Sequence, residues 1–477
     1  MRSRWLGRGV VLGLACLGVG LSVAVETATA AAVTRPNPPK QICIGSNCAT
    51  TGAASGKIKW NPGNYGASGG YIHPRDPLSR YTGEMDDMLK DDWIRGYRAM
   101  VTWAALDIGP VTFTQSVGKA TNATLTKPVD AGSYWALFAN GEYRQITLSD
   151  TTTAAWSSPL SSGNVTTAHL YDTQLLDQIL NRLKTHYKTQ KQFVIAIVPD
   201  SFSGGSRKPG ENSRIPAYIT NDPAYGKSPD PASYGWWGPP LGTTTGWYVA
   251  ALWRPAVAAQ YAALGAALGA KYDSDPNFEG IMDSETSQLV AAATNFPPAD
   301  PSYSDAAYVA QAQMFLTAWV AAFPHTNVVC ENTFLHTPTP TQKLEQWIMQ
   351  NRIAPGTADV SGQSYYDANP SRTLSNWGLA AYAGVTVTGS SFSGSDMRGT
   401  VRPMVDVQSP DIGAGSGTPL SNSPLDIVTA INKTVKASHA FWSYYAGGKA
   451  PRPTWANITA VLKDNPLTNV GYPGNYP

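Results

Sequence analysis

Short apolar runs alternate along this chain with longer stretches whose apolar residues recur every three or four positions. Gln192–Val198 is the clearest run, and an unbroken apolar segment of that length fits a parallel strand covered on both faces. The stretch before it places Leu170, Leu175, Leu176, Ile179, Leu180 and Leu183 at helical spacing. The same alternation runs from end to end. Strands are expected at Lys57–Trp60, Gly96–Ala104, Gln192–Val198, Phe278–Glu285, Asn327–Glu331, Ala358–Tyr366, Thr400–Gln408 and Ala440–Tyr445. Helices are expected at Glu84–Trp93, Leu170–Leu183, Ala251–Tyr272, Asp305–Phe323, Gln342–Asn351, Trp377–Tyr382, Leu425–Ser438 and Trp455–Lys463. Eight strands alternating with eight helices predict an α/β chain folded as a (β/α)8 barrel. The rival is an open doubly wound sheet. It loses ground because no glycine-rich phosphate loop follows the first strand.

One interval breaks the rhythm. Residues 108–165 lack helical spacing and instead show short alternating segments, among them Ser133–Phe138 and Tyr143–Leu148 around the turn signal Ala139-Asn140-Gly141-Glu142. This predicts a small β insertion in the second βα loop. The expected organisation is a signal peptide over 1–30, an extended leader over 31–55, a barrel over 56–465 that contains the insertion, and a tail over 466–477.

Arg2, Arg4 and Arg8 precede the apolar stretch Val10–Val25, and Ala28-Thr29-Ala30 supplies a small-x-small cleavage site, so secretion is expected. Removal of residues 1–30 takes away three arginines and one glutamate and leaves acidic and basic residues balanced. That balance offers no footprint for nucleic acid or an anionic membrane and favours a neutral substrate. Cys43 and Cys48, separated by Ile-Gly-Ser-Asn, would suit a small-loop disulfide in an oxidising compartment, while Cys330 falls in a strand and reads as a buried thiol. The six histidines are scattered without ligand spacing, so neither metal nor cofactor is expected.

In a barrel of this kind, residues at the C-terminal strand ends face the site. The expected strand ends contribute Trp60, Asn61, Tyr65, Trp103, Glu285, Glu331, Asn332, Tyr365, Asp406, Gln408 and Trp442, and the aromatic loop after the third strand adds Trp236 and Trp237. Aromatic faces pack on sugar C–H faces, amides orient hydroxyls, and a carboxyl pair supplies acid and base or nucleophile. That chemistry is glycoside hydrolysis.

The order of elements, the glutamate of Ser284-Glu285 ending the fourth strand, the tyrosines near the sixth and Trp442 on the eighth resemble clan A glycoside hydrolases, secreted retaining (β/α)8 enzymes such as cellulases and mannanases. The resemblance spans most of residues 56–465. It implies that Glu285 is the acid/base, although that clan places Asn before this Glu and Ser284 stands here. It also implies a nucleophilic Glu ending the seventh strand, where this chain has Val405-Asp406-Val407-Gln408 and no Glu. The second carboxylate is then Glu331, Asp406 or Asp283, or the site holds a sugar without cleaving it. The expected function is a secreted glycoside hydrolase acting on a neutral polysaccharide or oligosaccharide. The alternative is a non-catalytic carbohydrate-binding or cell-surface protein on a barrel scaffold.

Overall fold

In the computed structural model, eight parallel strands close into a barrel: β1 (Gly63–Ile72), β2 (Ile94–Thr102), β3 (Gln192–Val198), β4 (Phe278–Asp283), β5 (Asn327–Cys330), β6 (Ala354–Thr357), β7 (Met404–Val407) and β8 (His439–Ser443), with β8 pairing back onto β1. The structure describes residues 42–44, 47–49, 58–161, 164–200, 214–229, 232–238, 248–286, 300–357, 360–368, 377–407, 423–444 and 453–473. The signal peptide and most of the leader expected from the sequence lie outside these residues. A short hairpin within the leader sets Cys43 opposite Cys48 in its backbone register.

Each strand is followed in the chain by a helix whose apolar face covers the barrel. Gln174–Thr185 buries Leu175, Leu176, Ile179, Leu180 and Leu183 and places Arg182 and Lys184 in its last turn, where they complement the helix dipole. Ser304 caps Asp305–Ala322 by accepting from the Ala307 amide, and Thr454 with Asn457 forms a capping box at Trp455–Asp464. Asp305–Ala322 and Pro255–Tyr272 pack so closely that a Cβ on Gly265 would collide with the Trp319 indole. Within the barrel a separate core of inward residues includes Tyr65, Ala67, Val194, Met282, Met404 and Phe441.

Several strands differ from expectation: the second ends at Thr102, with Trp103 and Ala104 in the short helix Trp103–Leu106, and the seventh begins at Met404 and not Thr400. The first is Gly63–Ile72, not Lys57–Trp60. Its sequence, Gly-Asn-Tyr-Gly-Ala-Ser-Gly-Gly-Tyr-Ile, has four glycines and a single β-branched residue, Ile72, so it does not announce a strand, and barrel closure imposes the conformation instead. Small residues are needed there: a Cβ on Gly66 would stand 2.5 Å from Met88 Sδ. The sixth strand is Ala354–Thr357, and Tyr365 and Tyr366 lie beyond it in the helix Gln363–Ala368. The fourth strand stops at Asp283, so Glu285 stands past its end.

Between β2 and the helix Gln174–Thr185 the chain builds a six-stranded antiparallel sheet, reaching from Asp107 to Tyr171. The expected hairpin is present, with Gly132–Phe138 paired to Tyr143–Leu148. Leu170, expected to open the following helix, belongs to the last strand of this sheet, Thr167–Tyr171. The sheet has its own core, in which Phe138 meets Trp156 with ring centroids 5.3 Å apart. It is tied to the barrel's helical layer by Lys271, whose ammonium lies 4.9 Å from the Trp135 ring centroid and donates to Gln145 Oε1 at 2.7 Å.

Candidate functional site

Alternation along the strands decides what enters the barrel. On β7 the inward residues are Met404 and Asp406, and on β2 they include Gly96 and Arg98. Arg98 is fully buried and donates through Nη2 to Asp406 Oδ2 at 2.7 Å, with its guanidinium carbon 5.7 Å from the Phe441 ring centroid. Its Nε and Nη1 have no hydrogen-bond partner among the described residues.

Glu331 follows the last residue of β5 and is 1% exposed. Ser284 Oγ donates to its Oε2 at 3.2 Å, and its Oε1 has no partner among the described residues. Burial pushes the Glu331 carboxyl well above the usual range. The charges of Asp406 and Glu285 push the same way, and Arg98 opposes them. The result is a carboxyl group that holds its proton more tightly than a free glutamate, beside two other carboxyl groups.

Glu285 adopts φ 61°, the left-handed region that costs a non-glycine residue about 1–2 kcal/mol. Its neighbours hold that turn: the Ser284 amide donates to the Ile197 carbonyl at 3.1 Å, and the Thr286 amide donates to the Glu331 carbonyl at 2.9 Å. The turn leaves Glu285 half-buried beside the more deeply placed Glu331.

Tyr71, near the end of β1, is 41% exposed and stacks beneath the Arg214 guanidinium, whose carbon is 4.0 Å from the ring centroid. Burial of the phenol raises its pKa; Arg214 and Arg98 oppose that rise and Glu285 adds to it, so these charges share one end of the barrel. Asp200, just past β3, is buried, accepts from the Ala250 amide at 2.9 Å, and is also pushed up, chiefly by burial.

The structure therefore brings Glu285, Glu331 and Asp406 together and adds Arg98, Ser284, Tyr71 and Arg214. The sequence reading missed these four. Arg98 left a signal, a charge in the middle of a strand whose neighbouring residues Gly96, Tyr97, Ala99, Met100 and Val101 carry none, whereas Tyr71 was hidden by the misplaced first strand.

Most of the expected sugar contacts lie elsewhere. Trp60, Asn61 and Tyr65 are at the opposite, N-terminal end, because the segment before β1 packs under the barrel. Asn61 Nδ2 donates to Glu279 Oε2 at 2.6 Å, Trp60 Nε1 donates to the Val470 carbonyl at 2.9 Å, and the Tyr65 hydroxyl donates to the Asn61 carbonyl at 2.7 Å. Trp442 and Asn332 point outward by strand alternation, donating to Asn64 Oδ1 and Glu345 Oε2, each at 2.9 Å. Asp283 points outward too, accepting from the Tyr261 hydroxyl at 2.8 Å. Trp103 and Trp236 are buried and donate to Asp107 Oδ2 at 2.9 Å and Ser233 Oγ at 2.7 Å, which makes them core and not platforms. Trp237 is half-buried against the core, as is Tyr365 in its helix. Gln408 lies outside the described residues. Among the described residues no group of His, Cys, Asp and Glu is arranged to hold a metal ion, and no helix is long and apolar enough to cross a membrane.

No protein-family model matches the chain. No curated protein matches it either. Solved structures that do match include endo-glycoceramidase II from Rhodococcus sp. as its lactosyl-enzyme intermediate, at 14% identity and TM-score 0.41, covering 86% of this chain and 78% of that one. The same enzyme in its ganglioside GM3 complex matches at 13% identity and TM-score 0.37, covering 85% and 79%. A GH36 α-galactosidase from Geobacillus stearothermophilus matches at 9% identity and TM-score 0.29, covering 76% and 60%. At such identities and scores, the barrel assignment rests on this chain's own strand pairing.

Proposed function

We propose that this protein is a secreted glycoside hydrolase acting on a neutral polysaccharide or oligosaccharide, with Glu331 as proton donor and Glu285 as the second carboxylate. The observation that supports this most is the contrast between the two glutamates. Glu331 is buried, has its pKa pushed up, and has an oxygen without a partner among the described residues, while Glu285 stands half-buried on the solvent side of the same end. Carboxyl groups whose environments drive their protonation apart are what acid-and-base cleavage of an acetal requires. Glu331 gives its proton to the glycosidic oxygen as the C–O bond breaks. Glu285 either attacks the sugar carbon or takes a proton from the water that does. Asp406, fixed by Arg98, is a positioning residue whose negative charge helps keep the proton on Glu331. Secretion is supported by the basic and apolar N-terminal sequence and is checked by N-terminal sequencing of extracellular protein, which should begin after Ala30.

A panel of neutral polysaccharides assayed for new reducing ends tests the activity. Glu331→Gln should lower kcat by about 10²–10⁴-fold with KM little changed. Wild-type activity should fall as pH rises through the elevated Glu331 pKa, because the acid form is the one that donates. Full activity of Glu331→Gln on a cleaved glycan would sink the assignment. Sugar binding without any hydrolysis would favour the binding-protein reading, which the Arg98–Asp406 ion pair on β7, in place of a free glutamate, also favours.

A further inference from the structure

Where the inserted sheet meets the barrel there is a groove of about 570 Å³, within the roughly 300–1,000 Å³ range of ligand pockets. One wall is formed by Ile108, Pro110 and Thr112, alternate residues on one face of the strand Asp107–Thr112. Beside it runs the segment from Thr126 to Asp130, whose Thr126 donates its amide and hydroxyl to the Thr112 carbonyl at 2.7 and 3.1 Å, and the barrel side carries His73 and Arg75 from the segment just after β1.

Three properties define the ligand it suits. The first is charge. Arg75 is already committed, forming an ion pair with Asp172, bonding the Tyr134 hydroxyl and donating to the Ala131 carbonyl at 2.7 Å. The remaining rim charges, Lys127 and Asp130, are opposite in sign. The second is texture: apolar Ile108, Pro110 and Pro128 are interleaved with the hydroxyls of Thr112 and Thr126, a surface of C–H faces and hydrogen-bonding edges. The third is position. Ala104, which lines the groove, donates its amide to the Arg214 carbonyl at 2.9 Å, and Arg214 is the residue stacked on Tyr71 at the barrel mouth. Arg75 on the barrel side holds Asp172 and the Ala131 carbonyl, and the Thr126 amide holds the Thr112 carbonyl, so the groove is preformed.

We propose that this seam is a second saccharide-binding site, which holds neutral sugar units of a chain whose cleaved bond lies at the barrel mouth. It rests on the glycoside hydrolase reading for the identity of the bond and adds that the substrate is an extended neutral oligosaccharide or polysaccharide. The inserted sheet is then a substrate-length device.

The test uses the mature secreted chain and a ladder of neutral oligosaccharides of the glycan that it cleaves. For wild type, KM should fall as units are added. Thr112→Trp fills the groove from an exposed position and should raise KM for the longest substrates about tenfold while leaving the shortest unchanged. Thr126→Trp, from the neighbouring segment, should do the same and guards against a folding defect confined to one variant. Lys127→Glu should change KM by less than about twofold, because an exposed charge contributes little to binding a neutral ligand. Ladders superimposable on wild type in both tryptophan variants overturn the proposal. So does a large, salt-dependent effect of Lys127→Glu, which would mark an anionic occupant. If wild type cleaves nothing, calorimetric titration with neutral oligosaccharide ladders of the glycans in the activity panel separates the two readings. Length-dependent binding abolished by Thr112→Trp supports the groove while the hydrolase reading fails; no length dependence sinks the groove as well.

Discussion

The barrel buries a glutamate at each end and surrounds them differently. At the N-terminal end Glu279 is fully buried and accepts from the Asn61 amide at 2.8 Å, Asn61 Nδ2 at 2.6 Å and Asn327 Nδ2 at 3.1 Å, with His439 Nε2 at 3.4 Å. At the C-terminal end Glu331 is as deeply buried, yet it accepts one serine hydroxyl at 3.2 Å and leaves Oε1 without a partner among the described residues. Buried polar groups are ordinarily satisfied, and an unsatisfied one costs free energy that the rest of the fold must offset. Glu279 is a staple: it joins the segment before β1 to β4, β5 and β8. Glu331 is left available, with a proton to give. Burial alone therefore does not separate a structural carboxylate from a chemical one. The number of donors around it does.

The comparison can be broken in three ways. The largest expected effect is on Glu279→Ala, which strands the Asn61 and Asn327 donors and should cost about 3–5 kcal/mol of stability in denaturant unfolding. A loss below about 1 kcal/mol would show that the bottom network is not a staple. Next comes Asp283, which faces the helical layer with one hydroxyl donor and Cys330 Sγ at 3.7 Å, and whose pKa is pushed up to about 6 by burial. The folded state holds this proton more tightly than the unfolded chain, so the stability it contributes is complete below about pH 4 and is lost as pH rises through 6. The change is about 3 kcal/mol. Asp283→Asn should remove that loss, and unfolding midpoints at pH 4 and pH 7 for the variant and wild type check it. The smallest effect is on Glu331→Gln, where an amide replaces a carboxyl bonded to a single hydroxyl, so stability should shift by about 1 kcal/mol or less even as activity collapses. A destabilisation equal to that of Glu279→Ala would erase the distinction between the two ends.

Reading the chain from its pattern succeeded where periodicity and burial agree. Gln192–Val198 was legible because a strand covered on both faces is nearly all apolar, Phe278–Asp283 from its Gly-Ile-Met centre despite Glu279, and Gln174–Thr185 because its leucines line one side. It failed at β1, where glycines serve the close approach of Met88 and the strand is made by its neighbours. That failure moved Trp60, Asn61 and Tyr65 to the wrong end of the barrel and concealed Tyr71. Trp442 and Asn332 were misplaced for another reason: a residue near a strand end faces the interior or the helices according to parity, and one step of register reverses it.

By itself the sequence determined the alternation of strands and helices, the inserted sheet, and the presence of acidic residues where β4, β5 and β7 end. These are local facts, written in periodicity and residue type. Tertiary structure alone decided which acids meet. Arg98 and Asp406 are more than three hundred residues apart in the chain and pair because β2 and β7 face each other across a closed barrel. It also decided which glutamate has its pKa raised, since that depends on the burial and charges that closure gathers around it.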